Sequence, residues 1–122
     1  MLYDNTYVHI DMDAILANFD AVQSKSGVPV MAIIKADAYG HGAVQVARLL
    51  ESKVAFFGVS GVGEALELRQ SGLEKPILIL GHTPTSAFSQ IVPLGIRPAI
   101  FCREDAELLS REAVRQHTIA KF

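Results

Sequence analysis

The chain has 122 residues, half of them hydrophobic and a fifth charged, the size and composition of one globular domain rather than a disordered segment. Eleven Lys and Arg against thirteen Asp and Glu leave a formal charge of −2, so there is no cationic excess to favour nucleic acid or an acidic membrane surface. The lone Cys102 excludes an internal disulfide, no apolar run approaches the ~20 residues of a membrane span, and the opening Met1-Leu2-Tyr3-Asp4-Asn5 has no signal-peptide pattern, so a reducing, cytoplasmic setting is expected.

In chain order, Asp11 and Asp13 are expected to cap a first helix over 13–24, with Ile15, Leu16, Phe19 and Val22 on its apolar face. Residues 28–34 (VPVMAII) form a near-continuous apolar run of strand length, as do 54–59 (VAFFGV), 76–80 (PILIL), 97–101 (RPAIF) and 118–122 (TIAKF). Such runs mark strands of a parallel sheet. Amphipathic patterns predict helices over 43–52, 62–71 and 103–116 between them. In the helix over 62–71, Glu64, Glu67, Arg69 and Gln70 are assigned to the outward face, and Gly72 is the expected stop. Thr83-Pro84-Thr85 predicts the start of one more short helix, closed by Pro93 and Gly95.

Steps of 24, 22 and 21 residues separate Ile34, Gly58, Leu80 and Phe101. That cadence gives an α/β fold of repeated parallel (β/α) units. A five-stranded doubly wound sheet and the first half of a (β/α)8 barrel both fit, and periodicity does not choose between them. Phe122 falls inside the expected fifth strand, the pattern of a chain that continues.

The chemistry concentrates in residues 30–42. Lys35 directly follows an apolar strand, at the end where parallel α/β folds carry their sites. Desolvation there disfavours the ammonium and exposes an amine suited to a Schiff base. A strand-end lysine whose head reaches water is the alternative. Ala36 and Ala38 leave room, Tyr39 offers a phenol to an anion, and Gly40 and Gly42 flank His41 in a turn before the next helix. The residues alone support a Schiff-base lysine with an anion-binding tyrosine.

Ile33-Ile34-Lys35-Ala36-Asp37-Ala38-Tyr39-Gly40-His41-Gly42 resembles the pyridoxal-phosphate lysine motif of the alanine racemases, usually V-V-K-A-[ND]-A-Y-G-H-G. The flanks share the likeness. His9-Ile10-Asp11-Met12-Asp13-Ala14-Ile15-Leu16-Ala17-Asn18 is similar to the family's opening motif. Gly63-Glu64-Ala65-Leu66-Glu67-Leu68-Arg69 resembles its EA-x-x-LR helix, and Pro76-Ile77-Leu78-Ile79-Leu80-Gly81 its PIL-x-LG strand. Asp37 stands where many members have Asn, and residues 54–63 match more loosely.

The resemblance implies the barrel, with residues 1–122 forming part of an N-terminal barrel domain that binds pyridoxal 5′-phosphate. It implies that Lys35 holds the cofactor through its amine and acts as base on one face of the substrate α-carbon. It further implies that Tyr39 contacts the cofactor phosphate and that Leu80 packs near the pyridine ring. The family's second base is a tyrosine of the partner subunit, so the parent protein is expected to be a homodimer. The substrate implied is alanine, with serine as runner-up, and the role is D-alanine supply for peptidoglycan. The family's next signature, a lysine followed by D-T-G-M-x-R, would come after Phe122. The 122-residue chain by itself is expected to be inactive, or to be a non-catalytic cofactor-binding module.

The remaining candidates read as structural. His41 is assigned to the turn, and His9, His82 and His117 have no ligand at metal spacing, so no metal site is expected. Gly58-Val59-Ser60-Gly61-Val62-Gly63 has its glycines in the wrong order for a dinucleotide loop and reads as a βα turn. Cys102 is assigned to a small buried hydrophobe.

Overall fold

The structure is a computed structural model and describes residues 6–122. Met1-Leu2-Tyr3-Asp4-Asn5, read above for a leader, lies outside the described residues. Asp11 caps the first helix, α1 (Met12–Ser26), its carboxylate accepting from the Ala14 N–H at 2.9 Å. Asp13 stands in the first turn, where a negative charge favours the helix dipole. β1 (Met31–Ile33) leads through a short turn, α2 (Lys35–Gly40), into α3 (Ala43–Leu50). Then come β2 (Phe56–Val59), α4 (Val62–Gln70), β3 (Ile77–His82), a 3-10 turn (Thr85–Ala87) with α5 (Phe88–Ile91), β4 (Ile96–Ala99) and α6 (Arg103–Arg115). None of these helices is long and apolar enough to cross a membrane.

Among the described residues four strands form one parallel sheet in sequence order, β1-β2-β3-β4. A doubly wound sheet reverses its strand order at a switch point. Here every connection advances one strand in the same direction, the winding of a barrel.

Burial follows the pleat. Phe57, Val59, Ile77, Ile79, Ile96 and Pro98 are buried under the helices, whose Phe19, Val46, Ala47, Leu50, Ala65, Leu68, Ile91 and Leu109 complete the core. The alternate residues Met31, Ile33, Phe56, Leu78, Leu80, Arg97 and Ala99 belong to the opposite face, which the chain's own helices leave open. This accounts for strands that read as apolar on both sides while only one side is covered here.

β1, β2 and β4 are shorter than their apolar runs, while β3 runs past its own to His82. Residues 28–30 precede β1, and β4 stops at Ala99. The fifth strand expected over 118–122 is not formed. The Thr118 N–H turns back to the Ala113 carbonyl at 3.0 Å, and Ile119 and Phe122 are exposed. A strand requires a neighbour to take its backbone groups, and among the described residues this segment pairs with none. Gly72 follows the end of α4 as expected, at φ +89°.

Candidate active site

The segment carrying Lys35 is wound left-handed. Ala36, Asp37, Ala38 and Tyr39 all have φ between 51° and 57° and ψ between 36° and 51°. Four consecutive L-residues in this region cost about 1–2 kcal/mol each unless something holds them, Asp being the most tolerant type.

The holding groups are specific. The Ala38 N–H donates to the Ile34 carbonyl at 2.9 Å, and the Gly42 N–H to the Asp37 carbonyl at 2.9 Å. The Asp37 carboxylate accepts from the Ala43 N–H at 2.7 Å, satisfying one of the free donors at the start of α3. His41 places Nδ1 2.9 Å from the Ala38 carbonyl, the turn role read from sequence.

A fourth group comes from another βα unit. The Glu64 carboxylate accepts from the Ala36 N–H at 2.7 Å on Oε1. On Oε2 it accepts from the Ser60 N–H at 2.7 Å and the Ser60 hydroxyl at 2.8 Å. Burial pushes the Glu64 pKa up, but hydrogen bonds from the Ser60 and Ala36 amides, the Ser60 hydroxyl and the Gly61 amide outweigh it. The net direction is down, so the carboxylate is held ionised.

Glu64 is therefore not the solvated helix-face residue the sequence pattern suggests. Its position carried a usable signal. It is the third residue of α4 after the cap Gly61, the place from which a Glu reaches back to the cap N–H. Arg69, also assigned outward, is half-buried. It donates to the carbonyls of Leu94 (2.9 Å), Leu73 (2.6 Å) and Lys75 (2.9 Å) at the other end of α4.

Lys35 is half-buried just beyond β1, two residues after Ile33. The Ile34 N–H extends the ladder to the Gly58 carbonyl at 2.9 Å, so the lysine starts from a fixed strand end. Gly58 is the neighbour of both Ile33 on β1 and Leu78 on β3. A Cβ there would lie 2.6 Å from Ile33 Cδ1 and 3.4 Å from Leu80 Cδ1. The missing side chain thus lets Ile33 and Leu80 close over the middle of the open face as an apolar floor.

Leu80, two residues before the end of β3, is 39 % exposed, and Tyr39 is 60 % exposed at the far end of the left-handed turn. The structure brings Ile33, Gly58 and Leu80 together on one face with Lys35 at its C-terminal rim. Tyr39 stands one turn further out. Cys102 is exposed rather than buried, because it precedes α6 instead of ending a strand. The glycine-rich segment 58–63 is a βα turn, as read.

Comparison with known proteins agrees with this architecture. The family described as "Alanine racemase, N-terminal domain" matches residues 10–122. "Alanine racemase 1" of Caldanaerobacter subterraneus subsp. tengcongensis is 43% identical over 119 residues, covering 95% of this chain and 31% of that protein. "Alanine racemase 1" of Clostridium acetobutylicum is 44% identical over 116 residues, covering 93% and 30%. A solved alanine racemase from Clostridium difficile 630 superposes with a TM-score of 0.91 at 35% identity, covering 98% of this chain and 32% of that one. The chain spans about a third of the length of these relatives. By its sequence, its singly wound parallel sheet and these matches, it belongs to the alanine racemase N-terminal domain family.

Proposed function

We propose that this chain is the lysine-bearing first half of the barrel of a pyridoxal-phosphate alanine racemase, with residues 1–122 belonging to one cofactor-binding domain. The observation that carries the reading is Lys35 itself. It is a half-buried lysine at the C-terminal rim of a parallel sheet, beside the apolar side chains of Ile33 and Leu80 that approach Gly58.

The residues fit the cofactor chemically. The amine supplies the group that an aldehyde condenses with, Leu80 and Ile33 offer an apolar surface to a planar ring, and the Tyr39 phenol can donate to a phosphate oxygen. When bound, pyridoxal phosphate supplies the electron sink for a carbanion at the substrate α-carbon. Lys35 holds the cofactor and carries a proton to or from one face of that carbon. Leu80 excludes water from the ring's edge and Tyr39 anchors the phosphate end.

The substrate is a small amino acid, alanine before serine, and the whole protein supplies D-alanine for peptidoglycan as a cytoplasmic homodimer. Neither nucleic acid nor membrane takes part. Racemisation needs an acid–base group on each face of the α-carbon. One lysine provides one face, so the 122-residue chain alone binds cofactor without racemising alanine.

The test is a trap. The purified chain is mixed with pyridoxal 5′-phosphate, reduced with borohydride and mapped by mass, with Lys35→Ala as control. Selective labelling of Lys35 is expected. Labelling spread evenly over Lys25, Lys53, Lys75 and Lys121 would reject the assignment, and D-alanine formation by the same sample would reject the claim of inactivity.

A further inference from the structure

Among the described residues the Lys35 side chain makes no hydrogen bond, yet its loop holds four left-handed residues. The nearest strut outside the loop is Glu64, which spans 28 residues of sequence to reach the Ala36 N–H. The same carboxylate grips the Ser60 N–H and hydroxyl at the end of β2. The peptide immediately after Lys35 is therefore tied to the end of the neighbouring strand through one side chain.

We propose that Glu64 is the positioning residue for Lys35. It locks the Lys35–Ala36 peptide against the Ser60 turn and so sets the direction in which the lysine amine leaves the sheet. The inference rests on the reading of Lys35 as the cofactor lysine.

The geometry explains why the residue is a glutamate. Its two oxygens meet donors on two different loops, all of them N–H or O–H groups. A glutamine would keep one acceptor but turn an NH2 group onto a donor. An aspartate is one methylene short of spanning both loops. The ionised form is the one that serves, since each contact asks the carboxylate to accept.

The experiment uses the full chain and two readouts. In the first, amide resonances of Ala36 and Ser60 are followed against pH without cofactor. Both are expected to move along one titration curve with a midpoint below the ordinary glutamate value, and Glu64→Gln is expected to flatten both. An Ala36 amide that ignores this titration overturns the proposal.

In the second, the borohydride trap with pyridoxal 5′-phosphate is repeated on Glu64→Ala, Glu64→Gln and Glu64→Asp, each checked for native circular dichroism. The preference for Lys35 over Lys53 and Lys75 is expected to fall about tenfold in Glu64→Ala, the size of one lost hydrogen bond to a charged group, and less in Glu64→Gln. If Glu64→Ala does not fold, Glu64→Gln decides. A wild-type chain that labels Lys35 selectively, with folded variants that label it equally well, overturns the positioning role and leaves the cofactor reading standing. A wild-type chain with no selectivity removes the cofactor reading, and the positioning role for cofactor capture with it.

Discussion

Gly81 passes so close to the Ser60 backbone that a Cβ at position 81 would lie well under 3.0 Å from the Ser60 carbonyl oxygen. Gly81 sits within the irregularity of β3 between Ile79 and His82, where pairing with β4 shifts register. The obstacle is backbone rather than a flexible side chain, so it cannot swing away. Gly81→Ala is expected to destabilise the chain by about 2–3 kcal/mol, in the range of overpacking a tight site. Gly63→Ala, inside α4 with open space around it, is expected to be neutral or slightly stabilising. Urea unfolding midpoints of the two variants provide the comparison.

Arg69 gathers three carbonyls from two loops, those of Leu73, Lys75 and Leu94. Truncation leaves these acceptors without their charged donor and removes the packing of the stem. Arg69→Ala is expected to cost about 2–4 kcal/mol, read from chemical denaturation. Arg69→Lys is expected to recover less than half, because a single ammonium lacks the planar fork that reaches in several directions.

Asp37 serves twice, accepting from the Ala43 N–H and adopting a left-handed conformation itself. Asp37→Ala is expected to lose about 1 kcal/mol as a cap, with an added penalty at φ 54°. Asp37→Asn keeps an acceptor and the tolerance for this conformation, so its loss should be a few tenths of that. Hydrogen exchange at the Ala43 amide would rank wild type, Asn and Ala in that order of protection.

Acid should weaken the fold through Glu64. Its folded-state pKa lies below the ordinary glutamate value, against the burial that pushes it up. A depressed carboxylate binds its proton more readily when unfolded. Its stabilising contribution is therefore complete above the unfolded value of about 4.3 and is lost as pH falls through the lower folded value. Stability measured from pH 6 downward should drop more steeply below about pH 4.3 in the wild type than in Glu64→Gln. Parallel curves for the two would argue against the carboxylate's role.

Much of this was legible in the residues. The four strands that formed lie within or beside their apolar runs, because Val, Ile, Leu and Phe in short blocks have no other way to be covered. Lys35 lies just past its strand, as its apolar run indicates, whereas β3 runs two residues beyond Leu80 to His82, so Leu80 stands inside its strand rather than at its end. The left-handed turn was not legible: nothing in Ala36-Asp37-Ala38-Tyr39 prefers that conformation, and right-handed geometry is the local default. It is held by local bonds around Asp37 and Ala38 and braced by Glu64, a tertiary partner on a helix whose pattern assigned that glutamate to solvent. Residues 118–122 erred the other way, strand-like in composition but without a neighbouring strand among the described residues to pair with.

During synthesis Ala36 precedes Glu64 by 28 residues, an interval on the order of one to six seconds at ordinary rates of chain elongation. Over that interval the left-handed turn has its local bonds but not the carboxylate that braces it from α4. The brace from Glu64 forms only when β2 and α4 have been made and docked, so the turn after Lys35 is among the first parts of the molecule to be synthesised and among the later ones to be fixed.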